Sequence, residues 1–214
     1  MTSSLSESLR AETRELHAQA ERSPFMRALL RGEMNRAGYV AMLRNLHAIY
    51  AALEPALARH AHDPRLSPLL LAGLAREAPL RVDLEALEGP HWREAFALQP
   101  AAARYVARLH VVDVAHPELL TAHSYVRYLG DLSGGQILGR IVREGLALPA
   151  GVGTAFYEFG GADETARLKQ AYRAGLGALA PDAATQRAIV DEARLAFELH
   201  RQLFDELAHD FLRR

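Results

Sequence analysis

The run Tyr128-Leu129-Gly130-Asp131-Leu132-Ser133-Gly134-Gly135-Gln136 sets one carboxylate and one hydroxyl among three glycines. Each glycine inside a helix costs about 0.5–1 kcal/mol relative to alanine, so this run gives up roughly 2–3 kcal/mol, a sizeable share of a domain's net stability. Two uses would offset that loss. The glycines can let two helices cross backbone to backbone, or let one helix lie against something flat or bulky. A simple crossing needs neither Asp131 nor Ser133. The second grouping is His17 and Glu21, whose i, i+4 spacing places them on one helix face. A neutral imidazole coordinates metal through one nitrogen while a carboxylate orients the other. The same spacing also suits a solvated surface pair, although His17 borders the apolar positions Leu9, Leu16 and Ala20.

Helices must position both groups. Leu119, Leu120, Ala122, Tyr125, Val126 and Leu129 form a helical stripe before the glycines, and Ile137, Leu138, Ile141, Val142 and Leu146 form another after them. The glycines are therefore expected inside a helix, as a kink. Ser4 and Glu7 form a capping box for a first helix, and Ser23-Pro24 opens a short second one. A longer helix is expected from about Asn35 to His60, and the last from Asp182 to about Leu212. Breaks fall at Asp63-Pro64, Gly89-Pro90, Pro100, His116-Pro117, Pro149 to Gly153, Gly160-Gly161 and Ala180-Pro181. No run shows the alternation of a half-buried strand, so the fold class is all-α, with residues 1–214 as a single domain.

Composition narrows the function. The chain is 50% hydrophobic with a formal net charge of -1, and its arginines are spread along the chain, which argues against nucleic acid as a partner. The absence of cysteine excludes disulfides, iron–sulfur clusters, thiolate-ligated haem and cysteine nucleophiles, and is compatible with a reducing cytoplasm. Neither a secretory signal nor an apolar run long enough for a bilayer is visible, so a cytoplasmic protein without a membrane association is expected.

The stretches Leu16-His17-Ala18-Gln19-Ala20-Glu21, Pro24-Phe25-Met26 and Tyr125 to Gln136 resemble the biliverdin-forming haem oxygenases. Further similarity, in order and spacing, runs through Gly89-Pro90-His91-Trp92, Arg104-Tyr105-Val106, Arg108-Leu109-His110, Pro117-Glu118-Leu119-Leu120, Lys169-Gln170, Tyr172-Arg173 and Gln202-Leu203-Phe204. The resemblance covers nearly the whole chain. It implies a helical fold that holds haem b, as substrate and cofactor together, between a proximal helix and a kinked distal helix, and that cleaves it with O2 to biliverdin, ferrous iron and CO.

By that resemblance His17 is the axial iron ligand, with Glu21 beside its other ring nitrogen. Gly130 and Gly134 let the distal helix lie against the porphyrin, Asp131 governs oxygen activation through ordered water, and Arg127 borders the distal pocket. Arg10, Tyr125, Lys169 and Arg173 match positions that hold the propionates. Lys169 is the only lysine, and Arg10 stands where many relatives carry lysine. Phe197 and Phe204 are expected along the haem, with ordinary core packing as the alternative. The implied product is biliverdin IXα. No flavin or nicotinamide fingerprint is present, so electrons are expected from a separate ferredoxin or flavoprotein reductase, and the protein is expected to act as a monomer. A haem carrier on the same fold would keep His17 without needing Asp131. A di-iron bundle is a weaker rival, because Glu206 and His209 have the required spacing but the second candidate pair, Glu88 and His91, contains Gly89-Pro90.

Overall fold

The computed structural model describes residues 4–212, and among these there is no strand. The helices are α1 (Leu5–Glu21), α2 (Pro24–Leu30), α3 (Arg36–Arg59), α4 (Glu77–Glu88), α5 (Trp92–Ala95), α6 (Pro100–Ala115), α7 (Leu120–Ser124), α8 (Gly130–Gly145), α9 (Ala162–Ala178) and α10 (Ala183–Phe211). A π-helical turn, Tyr125–Leu129, joins α7 to α8. Short 3-10 turns lie at Ser67–Leu69, Pro117–Leu119 and Ala155–Tyr157.

The starts of the helices follow from their capping residues. Glu7 N donates to Ser4 Oγ at 3.3 Å while Ser4 N donates to Glu7 Oε2 at 2.9 Å, which closes the capping box. Met26 N donates to Ser23 Oγ ahead of α2, Gly38 N to Asn35 Oδ1 ahead of α3, and Ala184 N and Thr185 N to Asp182 Oδ1 ahead of α10. Each such cap is worth about 1 kcal/mol.

Helix α10 is the spine. It packs along α1 and against α6, α7, α2 and α3, while α3 also packs on α4 and α6. The apolar spacing of the last helix predicts a core-facing stripe of Ile189, Ala193, Ala196, Phe197, Leu203, Phe204, Leu207 and Phe211; all of these are buried except Phe211, which is half-buried, and α3 contributes Tyr39, Leu43, Leu46, Ile49, Tyr50, Leu53 and Leu57 to the same core. Burying each large apolar side chain contributes about 1.5–3 kcal/mol.

The distal segment is irregular just before the glycines. Gly130 has ordinary helical angles, φ -63 and ψ -52, and α8 is regular from that residue onward. The irregularity is the preceding π-helical turn, which takes in one extra residue per turn and re-aims the side chains that follow. Ser133 Oγ donates to the Leu129 carbonyl at 2.7 Å, so its hydroxyl serves the helix backbone next to that turn. The inward face of α8 is Leu132, Gly135, Gly139 and Val142, and Ile137, on the opposite side from that face, is exposed instead of joining the core.

Candidate active site

A groove of about 660 Å³ lies between α1 and the segment formed by the π turn and the start of α8. Arg10, Thr13, Arg14 and His17 line it from α1, Tyr125, Val126, Leu129, Gly130 and Ser133 from the opposite side, Arg173 from α9 and Phe197 from α10. One wall thus carries an imidazole, the other a glycine-bearing helix backbone, and the floor is apolar.

His17 sits on the face of α1 that the capping box and the buried Leu5, Leu9, Thr13 and Ala20 orient. Its Nδ1 is 3.6 Å from Glu21 Oε2, and Phe197 meets the ring edge-on at 5.9 Å between centroids. The His17 side chain is 51% exposed, so one ring edge is open to whatever enters the groove. Thr13 Oγ1 donates to the Leu9 carbonyl at 2.7 Å and stands 3.5 Å from the Tyr125 hydroxyl, which ties α1 to the π turn at the groove edge.

The glycines of α8 divide into two sets. A Cβ at Gly130 would meet nothing within 4 Å, and one at Gly134 would meet only Leu138 Cδ1 at 3.7 Å. A Cβ at Gly135 would come within 3.3 Å of the Tyr157 carbonyl oxygen, and one at Gly139 within 3.0 Å of Tyr157 Cβ. Gly135 and Gly139 therefore serve a close crossing within the chain. The protein itself gives Gly130 and Gly134 no such reason; one turn apart, they leave a bare strip of helix backbone beginning in the groove.

Behind this strip lies a buried polar cluster. Arg127 Nη2 donates to Asp131 Oδ1 at 3.0 Å and Oδ2 at 3.2 Å, and the Tyr50 hydroxyl donates to Oδ2. Burial pushes the Asp131 carboxyl above its ordinary value, opposed by the Arg127 charge and the Tyr50 hydrogen bond. Burial, the largest single influence, works against the Arg127 charge, but Asp131 together with the Tyr50 and Tyr105 hydroxyls outweighs it and the guanidinium is held firmly protonated. Tyr128 donates to Glu54 Oε1 at 3.3 Å, and Glu54 in turn accepts from the Arg76 and Glu77 amides. The helices bring these groups together across 81 residues of sequence between Tyr50 and Asp131.

At the rim, Arg10, Arg14 and Arg173 make no ion pair or hydrogen bond among the described residues. Three unpartnered guanidinium groups around one groove suit an anionic ligand. Lys169 lies one turn before Arg173 on α9, outside the lining residues, and burial followed by repulsion from Arg173 lowers its ammonium pKa. Phe204 also stands outside the lining. It shares a stripe with Phe197 but lies two turns further on, where α2 covers α10 and Phe25 stacks on it at 5.8 Å with 10° between planes. The core alternative therefore describes Phe204, while Phe197 reaches the groove.

No spacing in the sequence marks Arg14 or His200 as part of the site, and Tyr50 falls on an apolar stripe of α3 that reads as core. The signal available for Arg127 and Asp131 was their i, i+4 spacing; for Tyr50 there was none. The di-iron reading fails on geometry. Glu206 accepts from the Ala101 amide at 2.9 Å and from Arg104 at 3.2 Å, and no metal-binding cluster of acidic, histidine or cysteine residues occurs among the described residues.

One accessible imidazole, a facing strip without side chains, an apolar floor and a cationic rim form a site for a flat, anionic, metal-bearing ligand. Haem fits each of these features. Comparisons with known proteins agree. Residues 3–206 match the family model described as heme oxygenase. The chain is 43% identical to rat "Heme oxygenase 1" over 209 residues, covering 97% of this chain and 72% of that protein. It is 39% identical to Nostoc sp. "Heme oxygenase 1" over 213 residues, covering 100% of this chain and 90% of the relative. A crystal structure of Synechocystis sp. heme oxygenase-2 in complex with heme and NO superposes with a TM-score of 0.93 at 39% identity, covering 98% of this chain and 87% of that one. Heme oxygenase-1 of the same cyanobacterium, in complex with heme, gives 0.92 at 38% identity, with 98% and 95% covered. From the glycine strip and groove to the match along nearly its whole length, the chain belongs to the haem oxygenase family.

Proposed function

We propose that the groove binds haem with His17 as the axial ligand and with the bare strip at Gly130 and Gly134 against the opposite face of the macrocycle. The activity is that of the family: oxidative opening of haem to biliverdin with release of ferrous iron and CO. The observation that carries the reading is the open space in front of Gly130 and Gly134, on a helix whose other glycines are already packed. Haem supplies the redox-active iron and the carbon skeleton that is opened.

The chain's own groups then divide the work. Glu21, on the Nδ1 side of His17, orients the ring and leaves Nε2 for the metal. Arg10, Arg173 and the Tyr125 hydroxyl hold the propionates at the rim, Arg14 adds a cation there, and Lys169 adds its charge from one turn away. Asp131, fixed at both oxygens by Arg127 and Tyr50, is set to take up and pass on protons through a bridging water, in a site that α8 closes on one side. A stable oxygen carrier would have no use for a carboxylate fastened in this way. Orientation by the rim cations supports biliverdin IXα. The described helices include none long and apolar enough to cross a membrane. We take the protein to work as a monomeric, single-domain cytoplasmic enzyme that receives electrons from a separate ferredoxin or flavoprotein reductase.

The test replaces the ligand. His17→Ala should retain haem through the apolar groove, lose the native absorption spectrum and turnover, and regain part of both with added imidazole. An unchanged spectrum and rate would overturn the assignment.

A further inference from the structure

Asp83, on α4, lies outside both the groove and the cluster around Asp131. Its side chain is 0% exposed and forms no ion pair among the described residues. Ala155 N donates to its Oδ1 at 2.7 Å and Phe156 N to its Oδ2 at 2.8 Å. These two amides open the turn Ala155–Tyr157 and have no carbonyl within it to meet. Arg76, just before α4, holds the same turn by its carbonyls, donating from Nη1 to Phe156 O at 3.3 Å and Glu158 O at 2.7 Å. From the other side Tyr157 stands against α8 at Gly135 and Gly139, its carbonyl oxygen and Cβ where a Cβ on either glycine would collide. Asp131, Gly135 and Gly139 follow one another at i, i+4 and i+8, so the turn backs the face of α8 from which Asp131 projects.

We infer that Asp83 is a positioning residue for the reaction: by holding the Ala155 and Phe156 amides it seats the Ala155–Tyr157 turn behind α8 and so fixes the helix face that carries Asp131. The inference rests on the reading of Asp131 given above. A buried carboxylate without a counter-ion is costly, and this one offers an acceptor oxygen to each of two adjacent buried amides. Asparagine in its place would accept from one amide and turn its own N–H groups towards the other, and leucine would leave both unsatisfied. With glycine at 135 and 139, no side chain stands between Tyr157 and the α8 backbone to absorb a shift of the turn. Burial pushes the Asp83 carboxyl up to about 6, against the pull of the two amides and Arg76, with Glu158 adding to the rise. Protonation turns one acceptor oxygen into a hydroxyl, so the hold on the turn can be loosened without any substitution.

Two measurements test this. In the haem-free protein, the backbone 15N–1H signals of Ala155 and Phe156 should move in one step as the pH falls through about 6, and those of Gly135 and Gly139 should move with the same midpoint. Arg76, Glu158, Tyr39 and Tyr157 surround the turn, and Asp131 lies on the α8 face it backs. A step owed to any of these survives Asp83→Asn, whereas the step owed to Asp83 disappears. Absence of the step at Ala155 and Phe156, its persistence in Asp83→Asn, or fixed Gly135 and Gly139 signals while the turn titrates each overturns the inference. The haem complex of Asp83→Asn is then compared with that of the unaltered protein. Haem affinity should stay within about twofold, because the strip at Gly130 and Gly134 is on another face, while biliverdin formation at saturating haem should slow about tenfold, within the roughly hundredfold that a 1 Å misplacement can cost. A normal rate, or a loss confined to haem affinity, overturns the inference. Asp131→Ala, measured alongside, separates the two claims. A normal rate from it would overturn the role of Asp131 itself, and the titration would still decide whether Asp83 seats α8.

Discussion

Two pairs of glycines on α8 look alike in sequence and do opposite things in the fold. Gly135 and Gly139 are where the Tyr157 backbone and side chain press against the helix, and there a methyl group would intrude at 3.3 and 3.0 Å. Gly130 and Gly134 lie on the groove side, and a methyl group there meets open space or one leucine at ordinary contact distance. The first pair is explained by the protein's own packing. The second has no such explanation among the described residues, which is why we propose it as the ligand-facing strip. A small residue is therefore informative about function when the protein itself leaves the space beside it open.

The comparison is most exposed to failure at Gly130. Gly130→Leu should weaken haem binding by about 5- to 150-fold, the equivalent of the 1–3 kcal/mol that overpacking costs, while the haem-free protein melts no lower than before. A haem titration and a thermal melt of the same sample check both halves. Gly139→Leu should do the reverse. It should lower the stability of the haem-free protein by about 1–3 kcal/mol, which is roughly a 2–12 °C fall in melting temperature for a chain of this size, and leave the affinity of the folded fraction near normal.

A pH series sharpens the contrast, because the main acid-sensitive knot lies away from both pairs. Glu192 on α10 is buried, where its carboxyl would be raised, but hydrogen bonds from Arg108 at 2.6 Å and His123 at 2.9 Å hold it at about 2, against 4.5 for a free glutamate. A carboxyl depressed on folding contributes stability above its unfolded value and loses it as pH falls towards its folded value. The unaltered protein should therefore lose up to about 3 kcal/mol from this group between about pH 4.5 and 2, measured by urea unfolding at each pH. Glu192→Gln should be less stable at neutral pH and flatter over that window. The glycine variants should keep the slope of the unaltered protein. The smallest effect belongs to the rim, where exposed charges contribute about 0.2–1 kcal/mol each. Arg173→Glu with Lys169→Ala should turn a single biliverdin isomer into a mixture, since 1.4 kcal/mol is a tenfold preference. A single product from that variant would assign haem orientation to the groove walls.

Local signals carried most of the fold. The capping box at Ser4 and Glu7, the Ser23-Pro24 start and the stripe of α10 depend on residues a few positions apart, and such patterns are legible without a partner. His17 with Glu21 is legible for the same reason, and the i, i+4 spacing of Arg127 and Asp131 carries the same kind of signal, which points to their ion pair once the fold shows it. The π turn was not, because nothing in Tyr125 to Leu129 marks an extra residue per turn. Tyr50 was hidden because a tyrosine on an apolar stripe reads as core until the fold brings Asp131 to its hydroxyl. Phe204 and Phe197 were indistinguishable in sequence, and only the position of α2 over one of them separates core from groove.

The account turns on the claim that the groove side of α8 is kept bare for haem. It is tested most directly by measuring melting temperature without haem and haem affinity for two double variants, Gly130→Ala with Gly134→Ala and Gly135→Ala with Gly139→Ala. The first pair should melt about 2–8 °C higher, since each alanine adds about 0.5–1 kcal/mol of helix propensity, and should bind haem more weakly. The second should melt lower, with affinity little changed in the folded protein. Weakened haem binding by the second pair and unimpaired binding by the first would contradict the account.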